Sequence, residues 1–442
     1  MAEGFQGIDG DPSWGKMRRA GKIVFAALGD LRDTQVMLEW IERLRDDCPP
    51  VAERLKAHCL RREVELRESA AAAVNGFDAQ RWLQWAQKLE GRVQRIGNPM
   101  EVFQVLALES FDVAHMLHAT ALRNRSKTAL HELRIGVKKL RYVVENFLPE
   151  QNRSWGADLK NIQDELGEVH DLDVLWSTAL QIHAFASLEE RQHWYAAISR
   201  ERIQRVNAYR DKMVGRHSLW HEWRGGLPSG ELLHKAVLKR FEAWAESLDA
   251  DPAHTHAVAH FSLQLYDALQ DAGLIPARST GAVKPRDLLQ VAALTTGAGY
   301  VDEKTPHKAG ARLLRKLKLP PGWSVTDLLI AALVARYYRG ALPSGQKAYA
   351  ALSSEDRHLV DGLGGILRLA DSLDGQHDQA IRGISVSHAN GRFNITADGY
   401  DPRSKQAEKI AAARHLLEHA FDIAFMVCAP GESQVADTIT RE

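Results

Sequence analysis

The stretch HELRIGVKKLRY, His131–Tyr142, separates charged from apolar side chains on two sides of one predicted helix. At about 100° per residue, four cationic side chains fall within about 80° of one another. These are His131, Arg134, Lys138 and Arg141. An apolar set lies about 110° away and must pack into a helical core; it consists of Leu133, Val137, Leu140 and Val144. The cationic stripe is therefore predicted to face water or a lumen.

A second stripe recurs further along the chain at spacings of i, i+3, i+7, i+10 and i+14. It consists of Arg202, Arg205, Tyr209, Lys212 and Arg216. Two such helices would line a groove with fixed cations, which suits a multivalent phosphate chain better than a compact ligand. Arginine offers paired donors to phosphate oxygens, and lysine acts as a point charge. The acids between the stripes are interpreted as helix-surface residues: Glu165, Glu168 and Asp173.

The N-terminal half contains an internal repeat. LGDLRDTQVM at Leu28–Met37 aligns with LGEVHDLDVL at Leu166–Leu175, at an offset of 138 residues. The same offset superposes three further pairs: Lys22 with Lys160, Trp82 with Trp220, and Trp85 with Trp223. These anchors predict a duplicated helical bundle. When the offset is subtracted from 131, the first-copy position equivalent to His131 lies upstream of Met1. We therefore expect either a start further upstream or an incomplete first copy.

Composition sets limits on the class of protein. The 442 residues carry 57 basic and 57 acidic side chains, so overall charge attracts no polyanion and any anion site must come from local segregation. No apolar run approaches the roughly 20 residues of a spanning helix, and the acidic N-terminus is unlike a signal peptide. Three cysteines cannot form a disulfide framework. These features favour a cytoplasmic protein without membrane insertion.

Helical periodicity dominates, which predicts a mostly all-α protein. The clearest break is Leu227–Gly230, and a second domain is predicted at 231–430. The convincing β segment is a hairpin, with strands at Gly383–Ser387 and Arg392–Thr396. One long closing helix is expected from about Pro402 to Ala420.

Residues 1–226 resemble the CHAD domain, on the motif His131-x-x-Arg134-x-x-x-Lys138-Lys139-x-Arg141, then Lys160 and His170-Asp171. That resemblance implies a duplicated helical bundle that binds inorganic polyphosphate through a basic channel. It assigns binding to the two stripes together with Lys139, Lys160 and His170. The first copy departs from this pattern. Where the second copy has Arg202, Lys212 and Arg216, the first has Val64, Val74 and Asp78, and only Arg67 matches a cation, Arg205.

Residues 231–430 resemble the HD-like C-terminal domain of the exopolyphosphatase and guanosine pentaphosphatase family. The resemblance rests on His254, AALTTGAGY, RYYRG and Leu367–Asp374. The His-Asp metal pair of HD proteins is replaced by Thr296-Gly297, which leaves vestigial ligands at His254, His307 and Asp371. The actin-like ATPase-fold domains that carry the reaction in that family have no counterpart. A further cationic stripe is predicted to extend the groove: Lys304, Lys308, Arg312 and Arg315.

The sequence therefore predicts a duplicated CHAD bundle followed by a degenerate HD-like domain, a pseudoenzyme without metal or cofactor. Its predicted function is non-catalytic binding of inorganic polyphosphate, as a scaffold or adaptor, with protein partners on polyphosphate granules. One alternative is a metal-dependent phosphohydrolase that uses His254, His307 and Asp371. A second alternative is a nucleic-acid binder, because the same cations would hold a phosphodiester backbone. It is less favoured, because aromatic residues suited to stacking bases do not alternate with the cations.

Overall fold

The computed structural model describes residues 2–95, 100–124, 126–275, 278–279, 281–298, 305–340, 345–389 and 391–431. The chain divides into two compact units, Met1–Leu232 and Leu233–Glu442. The break predicted at Leu227–Gly230 lies just before this division.

Helices alone build the described part of the first unit. They are α1 (Ala2–Gln6), α2 (Pro12–Arg43), α3 (Pro49–Asn75), α4 (Ala79–Arg95), α5 (Met100–Asn124), α6 (Lys127–Phe147), α7 (Pro149–Gln181), α8 (Leu188–Met213) and α9 (Leu219–Gly225). Proline occupies the first turn of α2, α3 and α7, where its missing N–H costs no hydrogen bond. Serine side chains cap α6 and α8 by accepting hydrogen bonds from backbone N–H groups, Ser126 from Ala129 and Ser187 from Glu190.

The helix bounds repeat at the offset found in the sequence. Shifted by 138 residues, α2 covers 150–181 and α3 covers 187–213, within one residue of α7 and α8. The two helical hairpins share one core, in which Trp40 and Leu55 pack with Leu172 and Trp194. The same shift places α1 at 140–144, inside the range of α6. The duplication is thus visible as two equivalent hairpins that bury a common apolar surface.

The second unit packs helices around a small sheet. Its helices are α10 (Gly230–Leu248), α11 (Pro252–Asp271), α12 (Pro285–Ala298), α13 (Pro306–Lys316), α14 (Val325–Tyr337), α15 (Lys347–Ala350), α16 (Ser354–Leu373) and α17 (Lys405–Phe421). Its strands are β1 (Gly383–Ala389), β2 (Arg392–Asp398) and β3 (Ala424–Cys428). Helices α12 and α14 are almost wholly buried, so the core lies between them and their neighbours α11 and α16.

The predicted hairpin is present as β1 and β2, antiparallel with Val386 opposite Ile395. A third strand, β3, was not predicted from the sequence; it pairs parallel to β2 with Phe425 beside Phe393. The closing helix is α17, and Asp422 ends it in a left-handed conformation. The prediction of a mostly α-helical fold with a small β-hairpin is confirmed. In the part of the chain that the structure describes, no helix is long and apolar enough to cross a membrane.

Candidate anion-binding groove

Helix α6 buries one side and leaves its cations at the edge. Leu133, Val137, Leu140 and Val144 are buried at 1% exposure or less, as the apolar stripe predicted. The four cations named with that stripe are half-buried. They are called here the α6 stripe: His131, Arg134, Lys138 and Arg141. Packing of the apolar side therefore fixes where the α6 stripe points.

The α6 stripe lies against one face of α7. His131 Nδ1 is 3.2 Å from His170 Nδ1, and Arg141 Nε donates a hydrogen bond to Gln163 Oε1 at 2.8 Å. Arg134 passes beside Gly167, where a Cβ would lie 3.8 Å from its Nε. On α7 the spacing i, i+3, i+7, i+10 places four residues on this face: Lys160, Gln163, Gly167 and His170. The α6 stripe and these four residues together are called the α6/α7 groove.

Arg134 has a buried donor atom in this arrangement. Its Nε atom is buried and has no hydrogen-bond partner among the described residues. A buried donor without a partner costs free energy, roughly 1–3 kcal/mol, so such a group is a candidate ligand contact. Lys138 Nζ and the Arg141 guanidinium lie 5.7 Å and 4.8 Å from the Tyr142 ring. Arg141 also pairs with Glu145 on its own helix at 3.1 Å.

Burial shifts the pKa values at the His131 end of the groove. It lowers the pKa of His170, and the nearby charges of Arg134 and His131 add to that effect. Burial raises the pKa of Asp171 to about 6, opposed by Arg134 and reinforced by Asp33. His170 and Asp171 do not form a metal site, because they supply too few ligands.

The second stripe of the sequence has a different environment, because α7 turns acidic side chains toward it. It is called here the α8 stripe: Arg202, Arg205, Tyr209, Lys212 and Arg216. Lys212 Nζ donates to Glu165 Oε1 at 2.7 Å, and Arg202 Nε donates to Asp173 Oδ1 at 3.1 Å. Arg205 pairs with Glu168 and, at 2.8 Å, with Glu201 Oε2. These contacts are called the α7–α8 ladder. Three acids of the ladder, Glu165, Glu168 and Asp173, were predicted to be helix-surface residues. In the structure each of them pairs with a cation of α8 and neutralises its charge.

The remaining positions of the α8 stripe lie apart from the ladder. Tyr209 is buried, and its hydroxyl lies 2.6 Å from His118 Nδ1. Arg216 is exposed beyond the end of α8. The equivalent first-copy positions Val64 and Val74 are exposed apolar residues. The structure therefore brings the α6 stripe, Lys160 and His170 to one groove, and it holds the α8 cations on carboxylates.

An open cavity of about 580 Å³ continues from the His131 end of the groove. Its wall comes from α2, α3, α6 and α7, and includes both His131 and His170. Three basic residues of its wall were not predicted from the sequence: His58, Arg62 and Lys127. Lys127 lies one helical turn before His131, so extending the stripe backwards by four residues would have found it. His58 and Arg62 lie on another hairpin and had no local signal.

The predicted stripe of the second unit lies on α13. Lys308, Arg312 and Arg315 are exposed there, and Lys304 lies outside the described residues. Pro306 and Leu314 are buried on the opposite side of the helix. The local pattern is an amphipathic helix with a cationic outer face. Its part in ligand binding stays a prediction.

Two of the three predicted vestigial ligands, His254 and Asp371, belong to one ion-pair network. His254 Nδ1 is 2.8 Å from Asp374 Oδ2, and its Nε2 is 3.4 Å from Asp371 Oδ1. Arg339 donates two hydrogen bonds to Asp371, at 2.9 Å and 2.8 Å. Burial opposes protonation of His254, but its hydrogen bonds to both carboxylates outweigh burial and raise its pKa. The guanidinium of Arg339 therefore binds the Asp371 carboxylate, which a metal would need as a ligand.

His307 lies outside that network, with its ring edge-on to Tyr338 and its pKa lowered by burial and by nearby Arg336. Gly297, which the predicted HD-like resemblance aligns with the metal-binding aspartate, has no room for a side chain. A Cβ there would lie 1.9 Å from Asp249 Oδ1 and 2.2 Å from Thr255 Oγ1. Within the described residues, no histidine, cysteine or acid cluster of three or more is arranged to hold a metal. The residues present do not fit a divalent metal.

Comparison with known families finds a match, and it lies in the first unit. Residues 2–180 match the family model described as the CHAD domain, a range that includes α6 and nearly all of α7. The predicted resemblance to the CHAD family is confirmed over those residues. The match does not extend into the second unit, so the HD-like resemblance there stays a prediction. A comparison of the chain with curated proteins finds no match.

Proposed function

We propose that the first unit binds inorganic polyphosphate, without catalysis, in the α6/α7 groove. The observation that carries this proposal is the buried Nε of Arg134 on the wall of the groove, a cationic donor without a hydrogen-bond partner among the described residues. A phosphate oxygen would supply the missing acceptor and a counter-charge together. The match of residues 2–180 to the CHAD domain supports the same ligand, because polyphosphate binding is the property that the family implies.

The dimensions of the groove favour a polymer. From His131 to Arg141 the α6 stripe extends about 15 Å, at 1.5 Å per residue. One phosphate group contacts only one or two of these cations, so a compact anion leaves most of the stripe unused. Lys160 adds a cation from the facing helix. A chain of phosphates meets one cation per helical turn and gains affinity from each contact.

The α8 stripe has a secondary part in this proposal. Arg202, Arg205 and Lys212 each hold a carboxylate, so a phosphate must displace that carboxylate before it gains a contact. When a phosphate replaces a carboxylate on a cation, one anionic contact is lost as another is gained. The net gain in binding free energy is therefore smaller than at a cation that has no anionic partner. Arg134, Lys138, Lys160 and His170 therefore carry most of the affinity. Arg141 adds to it by exchanging Glu145 for phosphate, and Arg216 adds an exposed charge at the end.

No residue of the groove is arranged as a nucleophile with its base, so its chemistry is retention of the chain. We extend the proposal to a scaffold or adaptor that brings polyphosphate to protein partners, with the second unit as a non-catalytic HD-like module. The network of His254, Asp371 and Arg339 supports that part, because it fills a position where hydrolysis would require a metal.

The test compares two triple variants of the full chain for binding to long-chain polyphosphate at about 150 mM salt. One is Arg134→Ala, Lys138→Ala, Arg141→Ala; the control removes the same charge from exposed sites, Arg153→Ala, Arg191→Ala, Arg210→Ala. The groove variant should lose at least about tenfold in affinity, since each charge-assisted hydrogen bond contributes about 1.5–3 kcal/mol. The control should stay within about twofold. Equal losses would contradict a specific groove.

One observation favours nucleic acid as a second candidate. Tyr142 is exposed at 40% beside Lys138 and Arg141, a place where a base could stack. Single-stranded RNA of matched charge should bind more weakly than polyphosphate if the proposed function holds. Tighter RNA binding that Tyr142→Ala abolishes would favour the second candidate.

A further inference from the structure

We propose that the cavity at the His131 end of the α6/α7 groove binds the terminal phosphate of a polyphosphate chain. This inference rests on the proposed function and adds to it a preference for chain ends. The cavity has a volume of about 580 Å³ and is formed by α2, α3, α6 and α7. His131 and His170 belong to both the groove and the cavity, so a chain lying in the groove continues directly into it.

The cations of the cavity come from α3 and α6. Lys127 is the first residue of α6, and its side chain is 52% exposed. His58 and Arg62 contribute from α3. Backbone N–H groups at the start of a helix add positive potential to such a place. An anion in the cavity therefore meets positive charge on two of its sides.

The acids of the cavity distinguish a protonated phosphate from a fully ionised one. Asp30 and Asp33 line it from α2, and Asp173 lines it from α7. Asp173 is already held by Lys127 at 3.5 Å and by Arg202. Asp33 is close enough to His170 and Asp171 to influence both of their pKa values. A fully ionised phosphate would be repelled by these carboxylates, while a protonated one would find acceptors.

Only the end of a polyphosphate chain can be such a protonated phosphate. An interior phosphate has one ionisable oxygen, which is strongly acidic and carries no proton near neutral pH. A terminal phosphate has a second ionisation with a pKa of about 6, as in phosphomonoesters, so at pH 6 about half of the chain ends retain a P–O–H donor. That donor can form a hydrogen bond to Asp33 while its other oxygens accept from Lys127 and Arg62. The cavity therefore matches a chain end and rejects a chain interior.

The experiment uses the full chain and polyphosphate of one length in two forms. In one form both ends are free, and in the other both terminal phosphates are capped with dimethylamine, which replaces the P–O–H by a P–N(CH3)2 group and leaves no hydrogen-bond donor. At pH 6 the wild-type protein should bind the free-ended chain at least about fivefold more tightly. Asp33→Asn should reduce that preference to about twofold or less. Asp164→Asn, an exposed acid on α7 outside the cavity, is the matched control and should keep it.

Three results would overturn the inference. Equal affinity of the wild-type protein for both forms would show that chain ends are not recognised, with the proposed function intact. A preference that survives in Asp33→Asn would show that the cap acts by its size rather than by removal of a donor. Failure of both forms to bind would reject the proposed function, and the inference with it.

Discussion

His131 and His170 form a contact that allows only one proton between them. Their Nδ1 atoms are 3.2 Å apart, so one nitrogen must donate and the other accept. A second proton at this position would set two N–H groups against each other. Asp171 follows His170 directly, and burial raises its pKa to about 6. The electrostatic potential at this end of the groove therefore changes with pH near neutrality.

We predict that affinity for long-chain polyphosphate increases as pH falls from 7.5 to 5. Asp171 loses its negative charge as pH passes below its pKa of about 6, so the repulsion of phosphate disappears. Asp171→Asn removes that charge at every pH and should flatten the dependence, with tighter binding at pH 7.5. Titrations at matched ionic strength measure both effects. An unchanged dependence in Asp171→Asn would show that this carboxyl does not face the ligand.

His118 gives a prediction about stability. It is 7% exposed, its Nδ1 lies 2.6 Å from the Tyr209 hydroxyl, and burial, followed by the charge of His115, lowers its pKa to about 4. The unfolded chain, with a histidine pKa near 6.5, takes up this proton first as pH falls. The stability that neutral His118 gives to the folded protein is therefore complete above about pH 6.5, and it is lost as pH falls toward 4.

Between pH 7 and pH 5 this group should cost the wild-type protein about 2 kcal/mol of unfolding free energy. Urea denaturation of the wild type and of His118→Gln, at both pH values, isolates the contribution. The variant should be less stable at pH 7 and less sensitive to pH. Equal pH sensitivity of the two proteins would contradict a neutral buried His118.

At the scale of elements, helical periodicity predicted the α6 stripe and its buried opposite side. Those patterns lie within one helix, so the sequence contains them. The α7–α8 ladder joins Glu165 and Glu168 to residues far along the chain, and it depends on the register of two packed helices. A single sequence gives no such register. The alternation of apolar and polar residues predicted the hairpin. It did not predict β3, because α17 separates β3 from its partner β2 along the chain.

The ladder leads to a variant with higher affinity. Glu165→Gln with Glu168→Gln should tighten polyphosphate binding, because Lys212 and Arg205 lose the carboxylates that neutralise them. The matched control, Glu132→Gln with Asp164→Asn, removes the same charge from exposed positions of α6 and α7. We expect a gain at least about threefold larger for the ladder variant, measured by direct titration. The same gain in both variants would show that only overall charge matters.

At the scale of the molecule, a chain with no net charge holds a locally cationic groove. The sequence predicted this segregation, and it also predicted that the first copy lacks most of it. The exposed apolar residues Val64 and Val74 stand where the second copy has cations. The cavity could not be predicted, because it forms only when α2 and α3 pack beside α6 and α7.

The first unit should bind polyphosphate without the second. All groove and cavity residues lie in Met1–Leu232, and the core there is shared by both repeats within that unit. A protein ending at Leu232 should match the affinity of the full chain within about threefold. Binding by the full chain alone would instead assign part of the site to Lys308, Arg312 and Arg315.

The dependence of affinity on salt tests the central claim most directly, because it counts the phosphate contacts. Each phosphate of a single-stranded polyanion that the protein neutralises releases counterions. Each such contact adds about −0.7 to the slope of log affinity against log salt. With Arg134, Lys138, Arg141 and Lys160 engaged, log affinity for long-chain polyphosphate should fall against log salt with a slope of about −3. In the variant Arg134→Ala, Lys138→Ala, Arg141→Ala the slope should flatten to about −1. A slope near zero in the wild type, or the same slope in both proteins, would contradict a binding site in the α6/α7 groove.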